Sequence, residues 1–149
     1  MEVFLQLEAI LRWPLTFPAL ECFHIGGLAL GIGTIAIVDF RLLGRGIRDE
    51  KVSALAASMT PWTVLGLLFV FFSAAGLFAS DPDLYYLNPT FQLKMVLLLI
   101  ALIFHFTVHQ VRVFNDPAEG SAKGIAWISL LLWSSIIFCG IFTAFTGQA

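Results

Sequence analysis

A chain of 149 residues that is 59% hydrophobic and 12% charged, with a mean hydropathy of +0.92, carries more apolar side chain than one soluble core can bury. The formal net charge of −2 includes no long basic tract, and no nucleic-acid partner is expected. The two cysteines, Cys22 and Cys139, both lie in apolar segments without a C-x-x-C-H motif, which excludes covalent c-type haem attachment and gives no sign of a zinc site or disulfide framework.

The chain opens with "MEVFLQLEAILRW", where Val3, Phe4, Leu7, Ile10 and Leu11 recur at helical spacing and Glu2, Gln6 and Glu8 fall on or near the other side. This predicts a short amphipathic helix over 2–13 lying on the membrane surface before Pro14 and Pro18 turn the chain inward. The stretch lacks the basic leader and cleavage site of a signal peptide. Four apolar segments follow, over 17–41, 54–80, 90–113 and 123–146, each long enough for the ~20 residues a bilayer core requires. The clusters "LLGRGIRDEK", "SDPDLYYLNPT" and "NDPAEGSAKG" between them hold the residues that stop helices and make turns. Period-two alternation, the mark of membrane strands, is missing. The expected fold is therefore an all-α membrane protein: a single domain over 1–149, built as an up-down-up-down four-helix transmembrane bundle preceded by the interfacial helix.

The first connection carries Arg41, Arg45, Arg48 and Lys51, and the third carries Arg112 and Lys123; the second has Asp81 and Asp83 and no base before Lys94. The excess of basic residues places the first and third connections in the cytoplasm of a bacterium, with both termini periplasmic and the protein multi-pass in the inner membrane. Trp13, Tyr85 and Tyr86 then fall at the outer interface, where aromatic belts form.

Ionisable groups inside the spans are few: Glu21, His24 and Asp39 on the first, Lys94, His105 and His109 on the third. Each costs about 2.5–3.5 kcal/mol when charged at the bilayer centre, so such groups face the bundle interior and serve a purpose. Gly27 and Gly31 share a face with His24; they suit close helix packing, or a smooth strip along which a flat ligand held by His24 can lie. Glu21, at i−3, is placed to orient His24, to carry protons at the outer mouth, or to sit inertly among headgroups. His105 and His109, at i and i+4, share a face and cannot grip one iron from opposite sides; they read as ligand and support, steps of a proton path, or a packed polar seam. Asp39 is expected to pair with Arg41, Arg45 or Arg112; Arg41, Arg45 and Arg48 are expected to meet lipid phosphates or the propionates of a cofactor, or to serve topology alone. Lys94 is expected to snorkel.

Depth constrains any shared metal. Counting from Pro18 and Pro89 at 1.5 Å per residue, His24 lies about 9 Å into its span, His105 about 24 Å and His109 about 30 Å into theirs. One haem cannot comfortably join them. The alternatives are two cofactors, an outer one at His24 and an inner one at His109 or His105; a ligand from a second copy of the chain; or a thioether from Met95, level with His24.

The motifs "FPALECFH" and "DFRLLG" at the two ends of span one, followed by "PWTVLG" and "NPTFQLKMVLLLIALIFHFTVH", resemble a family of small, largely uncharacterised bacterial four-span inner-membrane proteins over nearly the whole chain. That resemblance implies the four-helix fold more than any activity. A looser likeness to small di-haem b-type cytochromes implies a haem role. The expectation is a haem b-binding electron-transfer protein, or a component of an oxidoreductase rather than a stand-alone enzyme, holding one or two haems through His24, His109 and His105. It would exchange electrons with a quinone or another redox protein, as a homo-oligomer. A proton-coupled transporter or proton conductor using Glu21, His24, His105 and His109, and a structural subunit of a larger membrane complex, are the alternatives.

Overall fold

The computed structural model describes residues 13–47, 49–115 and 119–146. These residues form helices and no strands, and four helices are long and apolar enough to cross a membrane. Span one is α1 (Thr16–Leu42) and span two is α2 (Val52–Ser80). A short α3 (Pro82–Tyr86) precedes span three, which runs through α4 (Pro89–Phe104), a π-helical turn (His105–His109) and α5 (Gln110–Phe114). Span four is α6 (Glu119–Thr146). The interfacial helix expected over 2–13 lies outside the described residues but for Trp13. We call the end bearing Arg41, Arg45, Arg112 and Lys123 the basic end, and the end bearing Asp81 and Asp83 the acidic end.

Local chemistry sets the helix boundaries. Pro18 sits in the first turn of α1, where a missing N–H leaves no hydrogen bond unmade. At the other end Gly44 takes φ +75°, Arg45 N–H donates to the Phe40 carbonyl at 2.8 Å and Gly44 N–H to Arg41 at 3.0 Å. This is the paired closure that a glycine in the left-handed region allows, and it explains the final glycine of "DFRLLG". The Arg41 guanidinium then donates twice to the Glu50 carbonyl, at 3.1 and 2.8 Å, fixing the turn toward span two. α2 has 29 residues and, at 1.5 Å per residue, outreaches a bilayer core of ~30 Å.

Asn88 starts α4 by accepting from the N–H groups of Thr90 and Phe91 at 2.9 and 3.3 Å, with Pro89 in the first helical position. Its amide also donates to the Thr143 carbonyl at 3.2 Å and its Oδ1 accepts from Thr146, which ties span three to span four. Asn88→Ala is expected to lose about 1–2 kcal/mol, since the cap and the cross-helix bond go together. A fall in thermal unfolding temperature in detergent is the measurement; an unchanged value would show that water replaces both.

Spans one and two form the tightest pair. Gly27 and Gly31 lie against Gly66: a Cβ on Gly66 would stand 2.6 Å from Gly31 Cα and 2.8 Å from the Gly27 carbonyl oxygen. Backbones meet directly there, and the Thr34 and Thr63 hydroxyls are joined at 2.8 Å two turns on. Spans three and four form a second pair, and span four also packs on span one. Span two reaches span three through α5 at the basic end, and at the acidic end Phe78 of span two stacks on Phe91 of span three with centroids 6.0 Å apart. Spans one and three therefore occupy a diagonal. Ile32, Ile35, Leu67, Ala101, Trp133 and Ile136 fill the middle of the bundle. The outward faces, with Phe72, Leu99, Ile103, Leu131 and Phe138 exposed, are apolar surface for lipid chains.

Candidate functional site

Spans one and three run parallel and in register. His24 to Asp39 and Lys94 to His109 are each fifteen residues, about 22 Å of helix. The polar residues of the interior thus gather in two layers, one near each end, with the central apolar cluster between them.

The layer toward the acidic end is built on His24. Its Nδ1 lies 3.0 Å from Ser73 Oγ of span two. Ser73 has one hydroxyl proton, and its oxygen stands 2.5 Å from the Phe69 carbonyl, a separation that two acceptors tolerate only with a proton between them. The serine oxygen therefore accepts, His24 Nδ1–H donates, and Nε2 carries the lone pair. This is the arrangement of a ligating imidazole, one nitrogen anchored and the other available. Lys94 comes from span three at the same depth. Its Nζ reaches to 3.4 Å from where a Cβ on Gly140 would lie, within electrostatic reach of His24 and Cys139. It has no hydrogen-bond or ion-pair partner among the described residues. Met95, the next residue, is turned 100° away and is 46% exposed, so it faces out of the bundle.

The face of Gly27 and Gly31 meets the backbone of span two around Gly66, the close helix packing expected of it, and beside it a pocket is lined by Cys22, Phe23, Gly26, Gly27, Leu30 and Phe69. Glu21 is exposed, and the group that orients His24 is Ser73. Glu21 instead lies close enough to the loop residue Tyr85 that burial first, then the carboxylates of Asp81 and Glu21, push that phenol above its ordinary value of 10.0.

The layer toward the basic end joins Asp39, 0% exposed, to His109, 2% exposed, through a 2.7 Å bond from His109 Nε2–H to Asp39 Oδ1. The expected arginine partner of Asp39 is thus replaced by a histidine. Asp39 points along the diagonal, whereas Arg41, two residues on, points to the Glu50 backbone. Arg45 and Arg112 are exposed. His105 stacks on His109 with ring centroids 5.0 Å apart and 24° between planes, and meets the Trp133 edge at 6.3 Å. The π turn produces this stack: its wider winding brings i and i+4 more nearly into line than an α-helix does. His109 is anchored through Nε2 to Asp39, and His105 lies between His109 and Trp133.

Glu21, His24, His105 and His109 accordingly make two separate sites and not one file across the membrane. Among the described residues no three His, Cys, Asp or Glu side chains converge as a metal-ion cage, and both Cys22 and Cys139 are free thiols. No family model, curated protein or solved structure matches the chain.

Proposed function

We propose that this four-span protein is a haem b-binding electron-transfer protein whose haem is held at His24. One observation carries the reading: Ser73 fixes His24 through Nδ1, which leaves Nε2 as the ring nitrogen available to a ligand. Lys94, at matching depth, would be the chain's own candidate for a second ligand there. Haem supplies one-electron chemistry; the chain's own part is to present His24 in one tautomer, to surround the ligands with apolar side chains and to exclude water.

The basic residues of the first and third connections support an orientation with those loops cytoplasmic, in a bacterial inner membrane. An acceptor or donor within the bilayer, such as a quinone, suits a site at this depth, and a homo-oligomer remains part of the reading.

The test is a reduced-minus-oxidised spectrum of the purified protein, which is expected to contain a b-type α-band. Protein purified with haem supplied during expression and lacking that band would refute the reading. Ser73→Ala frees the His24 ring to rotate and to change tautomer, so haem affinity is expected to fall roughly 10–100-fold, as for other groups that orient a ligating histidine. Haemin titration measures it, and unchanged affinity would remove Ser73 from the site.

A further inference from the structure

At the basic end, both ring nitrogens of His105 and Nδ1 of His109 are buried without a protein partner, and Asp39 Oδ2 and Ser129 Oγ, buried beside them, have at most each other. Native interiors leave few such atoms unpaired, and ordered water is their common partner. A second observation points the same way. A cavity beside His105 and His109 offers about 20 Å³ to the centre of a water molecule, enough for one, and Thr60, Thr63 and Gln110 supply polar wall.

We propose that Asp39, His109 and His105, with water in this cavity, form a proton-exchange site that opens to the basic face of the bundle and not to the acidic one. His109 already donates Nε2–H to Asp39, so its Nδ1 holds the lone pair that accepts a proton from hydronium and leaves water behind. The imidazolium so formed is bonded to the carboxylate that neutralises it. Return of the proton to water restores the starting pair, and no other reactant takes part. From span one Asp39 faces His109, and from span three His105 does. Span two presents Thr60 and Thr63 and span four Ser129 and Trp133, none of which is charged. The apolar cluster of Ile32, Leu67, Ala101 and Trp133 closes the way toward His24, which makes the exchange one-sided. This site shares no residue with the proposed haem site and stands whether or not haem binds.

The experiment is solid-state NMR of the full chain, labelled with ¹⁵N-histidine and ¹⁵N-alanine, in liposomes. Magnetisation from mobile water is expected to reach the rings of His105 and His109 and not the amide of Ala101, which is 0% exposed at the centre of the bundle. As the medium is acidified a doubly protonated His109 ring should appear, and Asp39→Asn should lose it. Ala56→Leu, which fills the cavity, should abolish the water transfer. Rings as dry as Ala101 would overturn the proposal, as would a His109 ring that stays singly protonated down to the lowest pH the protein withstands. Should either variant fail to fold, these two wild-type readings still decide.

Discussion

Replacing His109 by leucine is expected to destabilise the bundle by about 3–5 kcal/mol, the largest loss for a single side chain here. Asp39 is 0% exposed, and its Oδ1 accepts from His109 at 2.7 Å. Removing the donor takes that bond away from a buried carboxylate. The double variant Asp39→Leu with His109→Leu should recover most of the loss, because it removes the buried charge along with its partner. Denaturant unfolding of the single and double variants in detergent measures the difference. A neutral single variant would mean that the bond from His109 does not stabilise Asp39, and a double variant as unstable as the single one would mean that packing sets the cost.

The second large effect belongs to Gly66. Valine there would drive a Cβ to 2.6 Å from Gly31 Cα and 2.8 Å from the Gly27 oxygen, and backbone atoms cannot turn aside as a side chain can. Spans one and two must part, which disturbs the Thr34–Thr63 bond and the Ser73 anchor on His24 as well. Overpacking of this kind costs about 1–3 kcal/mol. Gly26→Ala is the matched control, since a Cβ on Gly26 meets nothing within 4 Å. Thermal unfolding of the two variants should separate them clearly; equal behaviour would contradict the close approach at Gly66.

The four spans were legible because a bilayer demands long uncharged helices, and few other structures write that pattern. The separation in depth between His24 and the pair His105 and His109 followed from counting residues along parallel helices. Rotation was harder to read. Span three is apolar on every side, so its sequence does not say whether Lys94 or Met95 faces inward. Gly27 and Gly31 announced a close approach without naming what approaches; the answer, Gly66, sits inside "PWTVLG" on another helix. Ser73 and Ser129 gave no signal at all, because a lone serine in an apolar helix usually bonds its own backbone. Asp39 drew attention to the arginines beside it in sequence, while its partner lies 70 residues away across the diagonal.

The account rests on His24 as the residue that holds haem, and comparison of the chromophore in three proteins tests this most directly. Wild type, His24→Ala and His105→Gln should be purified after identical haem supply and their reduced-minus-oxidised spectra recorded per mole of protein. The account predicts a b-type band in wild type and in His105→Gln, and its loss in His24→Ala while the helical circular dichroism stays intact. A band that survives in folded His24→Ala, or one that vanishes only with His105, would contradict it.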